Sequence, residues 1–309
     1  MNPMKSAKKR SGSERMRSRS DTITTWAFLT PIFLILCITA FIPLLYSFYL
    51  SFHSFKINLP NAQPVFIGLD NFRMMLKDER FFTSCKNTVF FVVVSVAFEV
   101  VLGTILAMML SSDTKATRLI VSLCLIPMIM APVASGTLWR MMLDRSTGVI
   151  NYFIALLGME PIAFLADIKY AMGSIIFVDV WRQTPWVTIL MASALKGIST
   201  SSIEAAVVDG ATRLGVFFRV ILPLLRPVMI IVLMIRIVDG FKVFDTVFVM
   251  TGGGPGMATE MLPNFIYNQG LKYFNTGYSS AMAFVFIFFM SLVSGGFIVL
   301  RNKVDRDMG

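Results

Sequence analysis

Charge is scarce in this sequence. Lysine, arginine, aspartate and glutamate together make up 15% of its 309 residues, against about 25% in a typical soluble domain, so an ordinary water-soluble globular chain is excluded. Histidine occurs once, as His53, and cysteine three times, as Cys37, Cys85 and Cys124. A lone histidine cannot build a histidine metal site, and an odd set of cysteines with no Cys-x-x-Cys pair implies neither a disulfide framework nor a thiolate metal site. The glycine-rich run Val249-Met250-Thr251-Gly252-Gly253-Gly254-Pro255-Gly256 has no Lys-Ser/Thr after it and no strand pattern before it. A phosphate-cradling loop is therefore not expected, and no nucleotide or other cofactor is assigned to this chain. The carboxylates are too dispersed to suggest a convergent catalytic set, which argues against a membrane enzyme. The halves show no repeat of the kind that marks many secondary transporters.

Apolar residues fill the space that charge leaves. They account for 56% of the chain, and the mean hydropathy is +0.72. The expected class is all-α, a polytopic membrane protein. The net charge of +10 would suit a nucleic-acid binder, but the basic residues gather in the N-terminal tail and in short loops, where a membrane explains them better. Residues 1–25, with Lys5, Lys8, Lys9, Arg10, Arg15, Arg17 and Arg19 among serines, read as a basic cytoplasmic tail. The apolar run 26–52 is too long for a signal-peptide core and reads as a first membrane helix. Five further spans of the ~20 residues that cross a bilayer are expected at about 87–110, 119–141, 171–195, 228–250 and 279–300. These define a six-helix membrane domain over 26–300 and a short tail over 301–309. By the positive-inside rule both termini, the loop with Lys115 and Arg118, and the loop 196–227 with Lys196, Arg213, Arg219 and Arg226 lie in the cytoplasm.

Between the fourth and fifth spans lies a polar island, Ser201-Ser202-Ile203-Glu204-Ala205-Ala206-Val207-Val208-Asp209-Gly210-Ala211, continuing to Val220-Ile221-Leu222-Pro223 and Pro227. Ser201 and Glu204 have the spacing of a capping box, which predicts a short helix starting there. Gly210 should end or bend it, and Pro223 and Pro227 should stop a second short piece and start the next span.

Glu204, Ala205, Ala206, Gly210, Leu222 and Pro223 sit on the pattern of the cytoplasmic EAA loop, and the chain thereby resembles the permeases of ABC importers. Val220 stands where that family has isoleucine. Phe66-Ile67-Gly68-Leu69-Asp70-Asn71-Phe72, the Thr-Gly-Gly-Gly-Pro turn, Leu29-Thr30-Pro31 and the segment with Tyr267 and Gly277-Tyr278-Ser279-Ser280-Ala281 are similar to landmarks of the sugar-type, maltose-like members, first-permease type. The large external insertion of the maltose permease itself is missing. The resemblance implies a type I permease bundle in a bacterial plasma (inner) membrane. It also implies a second, homologous permease as heterodimer partner, an ABC ATPase dimer carrying ATP and Mg²⁺, and an extracytoplasmic solute-binding protein. Glu204, Ala205, Ala206, Asp209, Gly210, Leu222 and Pro223 would then couple to the ATPase.

Charged residues within spans are costly and usually functional. Glu99 stands in the second span. Asp179, Arg182, Gln183 and Trp186 share one face of the fourth, and Arg236, Gly240 and Phe244 one face of the fifth, with Asp239 beside Arg236. The resemblance implies that these two faces line a sugar pathway, with the aromatics offering rings to apolar sugar faces. The alternative is that Asp179 with Arg182, and Asp239 with Arg236, are local ion pairs only. The cargo is expected to be a sugar or sugar derivative. An anionic glycerol-phosphate or sulfo-sugar type substrate is the alternative if the arginines stand free.

Overall fold

The computed structural model describes residues 26–110 and 114–308. The basic tail and Ser112 lie outside the described residues. The chain is helical almost throughout. Helix α1 spans Trp26–Ser51 and contains a widened turn, Cys37–Phe41. A two-residue hairpin follows, β1 (His53–Ser54) paired antiparallel with β2 (Val65–Phe66). Helix α2 (Asp70–Met75) leads to α3 (Glu79–Met109). Then come α4 (Lys115–Cys124), α5 (Ile126–Ile129), α6 (Pro132–Met142), α7 (Val149–Leu156) and α8 (Ile168–Lys196). Helix α9 (Thr200–Val208) precedes α10 (Arg213–Phe241). Helices α11 (Asp245–Met250), α12 (Leu262–Tyr267) and α13 (Thr276–Met308) complete the described chain.

Helices α1, α3, α10 and α13 are long and apolar enough to cross a bilayer. The expected third span is not straight. Residues Leu119–Ile129 and Pro132–Met142 form two limbs bent by 96°. The cause is local: a residue before proline is driven out of the helical region, and Met130 and Ala131 have ψ of 135° and 139° ahead of Pro132. Helix α8, the expected fourth span, has 29 residues and reaches across a bilayer at 1.5 Å per residue, but is too polar to qualify on composition. It compensates by packing along α3, with Ile175, Val178, Val187 and Met191 fully buried.

The fifth span also departs from expectation. Helix α10 begins at Arg213, and its last residue is Phe241 rather than one near 250; α11 is a separate short helix. The prolines do not interrupt it. A widened turn at Phe217–Ile221 sits just before Pro223, as Cys37–Phe41 sits just before Pro43 in α1. Proline supplies no N–H and crowds the carbonyl four residues back, and widening the turn moves that carbonyl away.

The core lies where α3, α8 and α10 meet, with Phe91, Val92, Val96, Val187, Met191, Leu225 and Val232 in one cluster. In lipid, burial of apolar surface does little to drive helix association, so close van der Waals fit must do it. Gly103 provides that fit. A Cβ there would lie 2.6 Å from Val187 Cγ1. Helix α13 packs against α1, where Ser47 donates to Ser280 Oγ at 3.2 Å. Elsewhere α1 presents its apolar side chains outward, as a lipid-facing helix should.

Candidate functional site

Two regions collect the chemistry. The first is a polar cavity of about 150 Å³ beside the three-helix core, lined by Asp179, Arg182 and Gln183 of α8, by Asp239 and Gly240 of α10, and by Phe244. Its floor is an ion network. Arg236 of α10 meets Glu99 of α3 fork to fork, Nε donating to Oε2 at 2.7 Å and Nη2 to Oε1 at 3.1 Å, with both side chains at least 97% buried. Arg236 Nη2 is also 3.5 Å from Asp179 Oδ2, whereas Asp239 is 3.9 Å away. Arg182 Nη2 donates to Asp179 Oδ1 at 3.3 Å. With its amide oxygen turned to the guanidinium groups, Gln183 accepts from Arg182 at 2.9 Å and from Arg236 at 3.3 Å. That orientation is the one the donors demand.

The expected local pairs thus describe half of the network. Arg182 does pair with Asp179, but the main partner of Arg236 is Glu99, 137 positions away. Buried charges on three helices are held only because each answers another, and removing one member of such a pair costs ~3–5 kcal/mol. Lys242 pairs with Asp239 at 3.1 Å. Gly240 lets α10 approach α3, for a Cβ there would meet Val92 Cγ2 at 3.2 Å. Phe244 reaches the cavity from beyond the end of α10, its ring 5.2 Å from Phe248 and 4.9 Å from Tyr267. Trp186 stands apart from the other residues of its face. It packs half-buried against the apolar core and is not among the cavity-lining residues. It keeps the same face of α8 as Asp179 but stands about 10 Å further along the helix axis. Pro132, Asp245 and Thr246 also line the cavity, and nothing in the sequence singles them out, because a bend between two helices and a separate short helix bring them there.

The second region is the polar island. Helix α9 forms, but its N-cap is Ser199, with no side-chain cap hydrogen bond. The expected Ser201–Glu204 capping box is not made, since Ser201 lies inside the helix and its hydroxyl instead meets that of Ser199 at 2.6 Å. Gly210 ends the helix as expected, with φ +81° and Ala211 N–H returning to Ala206 O at 3.0 Å. A Cβ at Gly210 would meet nothing within 4 Å among the described residues, so the demand is on backbone conformation, not space. Glu204, Ala205 and Asp209 are exposed, as are Val207, Val208, Leu214 and Phe218. Leu222 and Pro223 lie half-buried within α10, directly after its widened turn.

At the other end of α3, Arg80 grips Glu260 with two hydrogen bonds of 2.6 and 2.7 Å, fixing the glycine-rich turn to that helix. Gly252, Gly253 and Gly256 of that turn have positive φ. Asn71 of the Phe66–Phe72 stretch is buried and donates to Ser51 O and His53 O, tying α2 to the end of α1. Asp144, in the exposed loop after α6, accepts from the N–H and hydroxyl groups of Thr147 and Ser146. These bonds hold its carboxyl well below the usual range.

Residues 99–308 match the protein family described as binding-protein-dependent transport system inner membrane component. The chain is similar to the "Probable ABC transporter permease protein y4oQ" of Sinorhizobium fredii, 34% identical over 92% of this chain and 91% of that one. It is also similar to the "Trehalose/maltose transport system permease protein MalF" of Thermococcus litoralis, 32% identical over 91% and 93% respectively. In fold it is similar to a chain of the bacterial ABC transporter "involved in the import of the acidic polysaccharide alginate", with TM-score 0.79, 21% identity, and coverage of 95% of this chain and 99% of that chain.

Proposed function

The chain belongs to the binding-protein-dependent transport system inner membrane component family, and from that premise we propose that it carries a sugar or sugar derivative through the cavity at Arg182, Gln183 and Phe244. It is a multi-pass permease subunit of an ABC importer and not itself an enzyme. It works with a solute-binding protein and an ATPase. The further reading is that a second, homologous permease completes the pathway, that a dimeric ATPase binds ATP and Mg²⁺, and that both termini face the cytoplasm.

One observation carries the substrate reading. A small polar cavity, with fixed donors and acceptors on one side and the Phe244 ring on another, lies among otherwise apolar helices. A sugar needs hydroxyl partners together with an apolar surface for its C–H face. The trehalose and maltose named for the Thermococcus litoralis relative are of that class. The island around Glu204 to Gly210, with its exposed Val207 and Val208, is suited to seat in the ATPase. Closure of the ATPase would then move α9 as a rigid lever and rock the bundle between outward and inward states.

The test is uptake of radiolabelled neutral disaccharides by proteoliposomes holding the complete importer, with ATP at the ATPase side and binding protein at the other. Gln183→Leu and Phe244→Ala should each lower uptake about tenfold or more, the loss of roughly one hydrogen bond or ring contact. Assembly with the ATPase should be unchanged. Wild-type uptake by both variants would remove the cavity from the pathway.

A further inference from the structure

We infer that Glu99 is a specificity-determining residue: by occupying both arms of the Arg236 guanidinium it cancels the charge that would otherwise draw anions into the cavity. This rests on the cavity being the substrate pathway. Glu99 is not on the cavity wall, and it reaches the site only through Arg236.

An arginine in a membrane-buried cavity is by default an anion site, because its planar fork matches carboxylate, phosphate and sulfonate. Here that fork is already filled. Nε and Nη2 of Arg236 are both directed to Glu99, and Asp179 stands 3.5 Å from Nη2 on the other side. The remaining nitrogen, Nη1, has Asp239 at 3.9 Å and the Gln183 carbonyl at 3.3 Å. Arg182 is held by Asp179, and Lys242 by Asp239. Asp245, also on the wall, adds a further negative charge. The carboxylates Glu99, Asp179, Asp239 and Asp245 therefore outnumber the cations Arg182, Arg236 and Lys242 by one. Such a site offers hydrogen bonds without a positive field, which suits an uncharged polyhydroxylated solute and disfavours glycerol phosphate or a sulfo-sugar. Without Glu99 the balance changes by one unit, and the charge released belongs to the guanidinium nearest the core.

The field can be read directly with small charged thiol reagents. In the complete importer, with Cys37→Ser, Cys85→Ser and Cys124→Ser, a Phe244→Cys substitution puts one thiol on the cavity wall. Its rates of modification by a sulfonate-bearing and a trimethylammonium-bearing methanethiosulfonate are then compared. Glu99→Gln should raise the sulfonate-to-ammonium rate ratio about tenfold, because reagents of opposite charge respond in opposite senses to one added unit of charge. Arg236→Gln should lower the ratio by a similar factor, and the double variant should return it to the parent value. A purely structural role for Glu99 would change both rates together and leave the ratio alone. A modified thiol whose ratio stays at the parent value in Arg236→Gln, or in Glu99→Gln where that variant assembles, overturns the inference and leaves the pathway standing. A Phe244→Cys thiol that neither reagent reaches overturns the pathway reading, and the inference with it.

Discussion

Gly210 shows how one residue's backbone can matter more than its contacts. Its φ of +81° costs an ordinary residue ~1–2 kcal/mol and a β-branched one more, while the space around it is open. Gly210→Val should therefore leave the protein inserted and assembled but cut transport-linked ATP hydrolysis at least about tenfold, because the turn after α9 is redirected. Gly210→Asn, which tolerates positive φ, should keep most of it. Equal loss in the two variants would mean that a side chain of any kind is excluded there and that the backbone explanation is wrong. Glu99 was recognisable in the sequence as a costly intramembrane charge, but its partner was not. No periodicity on α3 points to a residue on α10.

At the scale of helices, the contact between α3 and α8 rests on an approach closer than a methyl group allows. Val187 is β-branched and held in few rotamers, so its Cγ1 cannot easily yield to a new Cβ at Gly103. Gly103→Ala should destabilise the detergent-solubilised protein by ~1–3 kcal/mol, the usual range for overpacking. Val187 Cβ itself would lie 2.7 Å from the added methyl, so adding Val187→Ala should recover little of that loss and adding Val187→Gly a larger part, as a thermal unfolding series would show. Full recovery with Val187→Ala would mean that Cγ1 alone carries the strain. The three prolines Pro43, Pro132 and Pro223 illustrate a limit of reading elements from sequence. Two are absorbed by a widened turn within a continuous helix, and one breaks its helix by 96°. Local sequence announces a disturbance at each, but packing decides its form.

For the whole molecule the remaining expectation is orientation. Thiol labelling of single-cysteine variants in intact cells should reach positions near Gly68, Gly158 and Gly254 from outside, and Ser202 only after the membrane is opened. Each of those three glycines lies in a connecting segment between helices. Gly68 and Gly158 have positive φ, and a side chain at either would find no neighbour within 4 Å of its Cβ among the described residues. Labelling of Ser202 in intact cells would invert the arrangement and detach α9 from any cytoplasmic ATPase.

Composition and periodicity alone determined the membrane class, the helical content, the approximate positions of most of the apolar spans and the polar island that follows α8. Those properties follow from how many apolar residues adjoin one another along the chain, and lipid reads that directly. The spacing of Asp179, Arg182 and Gln183 also placed them on one helix face, and the structure puts all three on the cavity wall. Tertiary structure alone decided that Arg236 answers to Glu99, that Trp186 packs half-buried against the core, and that Pro132 and Thr246 share the cavity. These are pairings between residues far apart in the chain, chosen because a buried charge without a partner is too costly to keep. No local pattern records which of several possible partners the packed helices bring within reach.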